Sequence, residues 1–228
     1  MKKMILIFSF LLISFNFCSC GASNSSVSTA ENPGGKNLST KQTAANPADS
    51  INQYISYRLP DTLSDGGYNK ELGFLGGNLF CLKSTGSCAA KKASDTTPPG
   101  WNSYGGAEIY DNLDCKFEKG QLIDVSPPWN HAEYLTKMEP LEHCEVPAAI
   151  VQVSFDLYSA SEASEKNIVD KNALNSTMWY VFFSKEDCGI NYAIFLNAEQ
   201  FSREDTVTLA QSVKFSDQAF NLKIPQSS

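Results

Sequence analysis

The clearest periodicity lies late in the chain. Over residues 149–158, Val151, Val153, Phe155 and Leu157 alternate with Gln152, Ser154 and Asp156. A period of two sends the apolar set to one face of a strand and the polar set to the other. Residues 178–183 are an unbroken apolar and aromatic run, the pattern of a strand buried on both faces, and a second largely apolar run, residues 190–196, follows it. The six residues between them, 184–189, are polar and end in glycine, so the two runs predict a hairpin with a slightly long loop. Ser202 then stands before Arg203, Glu204 and Asp205. A serine can cap a helix, and acids in its first turn favour the positive end of the helix dipole. A helix to about Ser212 is predicted, with Val207, Ala210 and Val213 inward, followed by a short strand over 213–215.

The first half is less regular. Residues 55–59 end at Pro60 and suit an edge strand. Gly73, Gly76 and Gly77 mark a turn leading into a strand over 78–82. Residues 90–106, rich in Lys, Thr, Pro and Gly, predict an exposed loop. Leu113, Cys115 and Phe117 alternate with Asp114 and Lys116, and a turn at 118–121 leads into 122–125, a second hairpin stopped by Pro127 and Pro128. Residues 161–174, polar with scattered Ala163, Ile168 and Val169, predict a helix. Locally paired strands with few, late helices specify an α+β fold: one domain with an antiparallel sheet and a few helices packed on it. The closing order of strand, strand, helix and short strand resembles small PsbP-like domains. It also resembles ectodomains of uncharacterised lipoproteins that end in an Ala-rich helix and a Val-Lys-Phe strand, and the resemblance covers about 40 residues.

The N-terminus carries a different signal. Lys2 and Lys3 precede an apolar run over 4–17, broken only by Ser9, Ser14 and Asn16. Its 14 residues suit the core of an export signal and fall short of the roughly 20 that a membrane-spanning helix needs. Phe17-Cys18-Ser19-Cys20-Gly21 follows and resembles the bacterial lipobox, with Ser19 small before Cys20 and Gly21 after it. Phe17 stands where that pattern prefers Leu, and Cys18 lies inside it. The resemblance implies a signal peptide over 1–19, diacylglycerol on Cys20, and a lipid anchor in the cell membrane on its extracytoplasmic side. The alternatives are a plain secreted protein cut near Ala22 and an uncleaved anchor. Residues 20–50 read as a tether, since Val27 and Leu38 are the only large apolar residues after Cys20. Such a stretch cannot bury enough surface to offset its ordering entropy. The domain is then expected over 51–228.

Charge and chemistry narrow the function without naming it. The chain carries −7 overall, and residues 51–228 carry −9, from 14 basic and 23 acidic side chains. Nucleic acid is therefore not an expected partner, because its binding rests on Lys and Arg against phosphate. Cys81, Cys88, Cys115, Cys144 and Cys188 remain once Cys18 and Cys20 are set aside. Cys81 and Cys88 flank a polar turn and form the nearest candidate disulfide, against free buried thiols or a metal site. No C-x-x-C pair occurs, and the adjacent His143 and Cys144 are poorly spaced to share an ion, so no metal is expected. His131 is the one other histidine, and no cysteine sits in a nucleophile motif. Glu108, Asp111 and Asp114 could offer oxygens to Ca²⁺, but fall short of the six to eight ligands that ion takes. They open an acidic stretch over 108–145 that reads as solvated surface. There is no G-x-S-x-G, H-E-x-x-H or phosphate-cradling glycine loop, and no cofactor is expected. Trp101, Tyr104, Tyr110 and Trp129 lie in or beside Gly- and Pro-rich segments. Trp101, Tyr104 and Trp129 are the candidate ligand-facing aromatics, for a sugar or a peptide, against plugs for the sheet ends. The expectation is a lipoprotein whose domain binds a small molecule, glycan or protein without catalysis. The alternatives are a cell-envelope enzyme and a subunit docking an envelope complex.

Overall fold

A computed structural model describes residues 51–222. The export signal, Cys20 and the tether lie outside the described residues, as do residues 223–228. The early strands are β1 (Ile55–Ser56), β2 (Leu63–Asn69), β3 (Gly77–Leu82), β4 (Gly105–Asp111), β5 (Cys115–Glu118) and β6 (Gln121–Val125). Then come β7 (Ala132–Tyr134), β8 (Glu139–Leu141), β9 (Ala148–Asp156) and the short helices α1 (Ala160–Glu165) and α2 (Lys171–Leu174). The chain continues through β10 (Asn175–Phe183), β11 (Ile190–Asn197), α3 (Arg203–Gln211) and β12 (Lys214–Phe215).

The main sheet runs β2-β3-β4-β11-β10-β9-β7, antiparallel at every pairing, and β8 pairs β9 as well. This is the α+β architecture that the alternating and continuous apolar runs specify. Phe183 lies opposite Tyr192 and Ala148, and Tyr180 lies opposite Phe195 and Val151. In β9 the odd positions Val151, Val153 and Phe155 are fully buried while Gln152 and Ser154 are half-exposed, as period two requires.

Both faces of the sheet are covered. On one, Ala107, Ile150, Val181, Tyr192 and Ile194 meet Ile51, Tyr54, Ile55, Leu209, Ala210 and Val213. On the other, Val151, Val153, Phe155, Tyr180, Phe182 and Phe195 meet Leu122, Val125 and Met138, with Trp101 and Trp129 partly buried against them. Burial on both faces makes residues 178–183 of β10 and 192–196 of β11 continuously apolar rather than alternating. The helix α3 begins where the serine and acids place it. Ser202 Oγ accepts from the Asp205 N–H at 3.1 Å, and the Ser202 N–H donates to the Asp205 carboxylate at 2.8 Å, a capping box. Thr206, Leu209 and Ala210 face inward, followed by Val213; Val207 is only half-buried.

Three expectations are corrected. The edge strand expected over 55–59 is two residues long and pairs with β12, not with the main sheet. The helix expected over 161–174 breaks into α1 and α2 around Asn167, whose φ of 51° cannot continue a helix. The loop expected over 90–106 is not simply exposed, since Ser94, Gly100 and Ser103 are buried and Ala89 bridges to Ser103. Its last two residues open β4, a central strand between β3 and β11. Gly105 and Gly106 carry no strand signal, yet Gly106 sits under Phe195, where a Cβ would come 2.7 Å from the ring.

Candidate functional site

Three chain segments converge where β9 ends. The loop ahead of β4 is stapled to that end. The Ser94 N–H donates to the Leu157 carbonyl at 3.1 Å, and Thr97 Oγ1 donates to the same oxygen at 2.6 Å. Lys91 Nζ donates to the carbonyls of Asn172 at 2.9 Å and Asn175 at 3.0 Å, and also pairs with Glu199. The segment after β6 comes in from the other side, where the Asp156 N–H donates to the His131 carbonyl at 3.3 Å. His131 has a φ of 67°, a left-handed conformation uncommon for a residue with a side chain. The third segment is Asp156 to Ala160 with the start of α1, capped by Ser159.

Between them lies an open cleft of about 620 Å³. Its walls include the indoles of Trp101 and Trp129, with Pro98, Leu157 and Tyr158, and its polar rim holds Asn130, His131, Asp156 and Glu162. Phe155 sits beneath both indoles. Its ring centroid is 4.8 Å from Trp101 and 5.0 Å from Trp129. Trp129 also meets Tyr180 edge-on at 4.7 Å, so the core itself fixes this wall. The structure therefore brings Trp101 and Trp129 together. It does not bring Tyr104 to them. Tyr104 packs against the core on the other face of the sheet, among residues such as Phe80 and Leu196. Tyr110 is not a loop aromatic but a wholly buried residue of β4.

The two acids of the rim behave differently. Glu162 completes the cap of α1, accepting from Ser94 Oγ, from the Ser159 N–H at 2.9 Å and from Ser159 Oγ at 2.8 Å. The bond from Ser94 leads these in holding its carboxyl down at about 2. Asp156 is exposed, and among the described residues no side chain or backbone group bonds to its carboxylate.

Behind the aromatic wall lies a group that the sequence misassigned. Glu108, read as surface acid and as a Ca²⁺ ligand, is 3% exposed and faces the core from β4. It therefore cannot join Asp111 and Asp114 on one ion. Its position between β3 and β11 lies opposite Gly77 and Ala193, which leave room for a carboxyl. The Tyr110 hydroxyl donates to it, the Gly73 N–H points at it, and the Tyr180 hydroxyl turns toward it without a hydrogen bond of good geometry. Gly73 has a φ of 56° and lies so near β4 that a Cβ would come 2.7 Å from the Ile109 carbonyl. Burial dominates these bonds and raises the Glu108 carboxyl to about 7. Burial also raises the Tyr110 and Tyr180 hydroxyls, with the nearby Glu108 charge second.

Cys81 and Cys88 are bonded to each other as a disulfide. Cys115, Cys144 and Cys188 are free and half-buried. Burial raises the Cys115 and Cys144 thiols, which keeps them protonated and poorly nucleophilic. Cys115 Sγ donates to Asn191 Oδ1 at 3.6 Å. Among the described residues no group of three or more His, Cys, Asp or Glu could hold a metal ion, and no helix is long and apolar enough to cross a membrane. No family model, no curated protein and no solved structure matches this chain.

Proposed function

We propose that the chain is an exported lipoprotein, held to the extracytoplasmic face of a cell membrane by lipid on Cys20, and that its domain binds a ligand without catalysis. The cleft walled by Trp101 and Trp129 carries the binding part of this reading. Its volume of about 620 Å³ falls within the usual range for small-molecule sites, and it joins apolar walls to a few polar groups. The lipobox-like Phe17-Cys18-Ser19-Cys20-Gly21 carries the anchoring part.

The electrostatics favour binding over catalysis. A pair of catalytic carboxyls needs one that can hand over a proton near neutrality, which requires a raised pKa. Glu162 at about 2 is held in the opposite direction and is committed to the cap of α1. Glu108, the carboxyl near 7, lies behind the aromatic layer and does not line the cleft.

Fractionation tests the anchor. Cys20→Ala should move the protein from the membrane into the soluble fraction, and mass spectrometry of the unaltered protein should find a diacylglyceryl adduct on Cys20. Unchanged membrane retention of the variant, with no such adduct, would contradict the proposal.

A further inference from the structure

The chemistry of the cleft narrows what it can hold; this step rests on the cleft being the binding site. Among the described residues no Lys or Arg lines it. Lys166 is a nearby cation, and its ammonium lies over the Tyr158 ring, 5.3 Å from the centroid. A phosphate or carboxylate ligand would therefore meet Asp156 and Glu162 with no lining ammonium or guanidinium to neutralise it. A wholly apolar ligand fails for a different reason. It would strip water from Asp156, Asn130 and His131 and return no hydrogen bond to them.

A ligand carrying ammonium or guanidinium groups brings donors alone. Of the two rim acids, Glu162 already accepts three hydrogen bonds from Ser94 and Ser159, which leaves Asp156 as the one unengaged carboxylate. The Asn130 amide is both donor and acceptor, and the His131 ring brings further polar nitrogens to the rim. Among the described residues neither side chain has a partner. A rim that mixes donors and acceptors, set round two indoles, matches hydroxyl groups around a ring with an apolar face.

We propose that this cleft takes a neutral pyranose sugar, one face on the indole of Trp101 with the steeply inclined Trp129 against its edge, and its hydroxyls paired with Asp156, Asn130 and His131. The pyranose C–H face covers aromatic surface, and each hydroxyl gives and accepts at the rim. Asp156 fixes orientation as a charged acceptor, the stronger kind of hydrogen-bond partner.

The test is calorimetric and fluorescence titration of the full-length protein in detergent with cellobiose, N,N′-diacetylchitobiose, maltose and lactose, alongside tetralysine. At least one sugar should bind with a Kd on the order of 1 mM or tighter. Trp101→Ala should weaken that sugar by about tenfold or more through lost ring contact. Asp156→Asn, at an exposed position where folding is not at stake, should weaken it about 3- to 10-fold. Trp179→Phe, on the opposite face of the sheet, should leave the Kd unchanged. If tetralysine shifts the emission of Trp101 and Trp129 and no sugar does, the sugar assignment is overturned and the cleft survives as a cation site. If neither sugar nor tetralysine perturbs those indoles, sugar and cleft fall together. Sugar binding that both variants leave intact overturns the assignment as well.

Discussion

Replacing Glu108 with glutamine should make the protein more stable above neutral pH and leave it nearly unchanged in mild acid. The carboxyl is 3% exposed, and among the described residues no cation pairs with it. Its pKa is raised from the usual 4.5 to about 7, chiefly by burial. In the unfolded chain it would lose its proton near the ordinary value. Between these pH values the folded state holds a proton that the unfolded state has released. Stability therefore falls as pH rises through this window and levels off above about 7. At 1.36 kcal/mol per pH unit the loss comes to about 3 kcal/mol. Glutamine cannot ionise, and its amide keeps the contacts available. Its oxygen can accept from Tyr110 and from the Gly73 N–H, and its nitrogen can donate to the Tyr180 hydroxyl, which otherwise lacks a partner. Urea titrations of both proteins between about pH 5 and pH 8 measure the effect, since taking their difference cancels every other titrating group. At the acid end the two should agree within about 1 kcal/mol. At the alkaline end the variant should be ahead by about 3 kcal/mol, a midpoint shift on the order of 1–2 M urea. Parallel pH profiles for the two proteins would refute the reasoning, because they would mean that Glu108 does not titrate in this window.

Other positions make separate predictions. Val153→Asp would bury an unpaired charge at a fully buried site and should cost several kcal/mol in urea melts, whereas Gln152→Asp, half-exposed one position away, should cost under about 1 kcal/mol; equal losses would contradict the facing of β9. Non-reducing peptide mapping should recover Cys81 linked to Cys88, and replacing both with serine should lower stability by about 2–3 kcal/mol, as expected for closing so short a loop. Alkylation of both cysteines in the unreduced native protein would dismiss that bridge. Limited proteolysis should cut first within residues 20–50, and the remaining domain should keep the melting temperature of the intact chain; a large fall would show that the segment packs on the domain.

The late strands were legible because their environments leave a mark on residue type. β9 alternates at Gln152 and Ser154, and residues 178–183 of β10 and 192–196 of β11 are apolar because both faces of the sheet are covered. The start of α3 was legible for a local reason, as Ser202 and Asp205 satisfy each other within four residues. β4 was not. Gly105, Gly106 and Glu108 argue against a strand one by one, and each is explained only by a distant neighbour: Phe195 over Gly106, and Tyr110, Tyr180 and Gly73 around Glu108. The candidate site was half legible. Trp101 and Trp129 signal as aromatics in Gly- and Pro-rich segments, but what unites them is Phe155, a residue the alternation marks only as core. Tyr104 carries the same local signal as Trp101 and lies three residues away, yet it packs on the opposite face of the sheet. Asn130, His131 and Asp156 gave no sign of belonging together, because their meeting depends on the β9 end and the loop pinned to Leu157.

The chain has three tryptophans, which makes the central claim directly measurable. Trp101 and Trp129 wall the cleft, while Trp179 packs on the other face of the sheet. Each indole N–H gives its own peak in a nitrogen–proton correlation spectrum and can be assigned by replacing the three in turn. On titration with the disaccharide that binds most tightly, the Trp101 and Trp129 peaks should move together along one saturating curve, with Trp179 stationary. Movement of Trp179 alone, or three stationary peaks under a calorimetric binding signal, would place the ligand elsewhere and contradict the account.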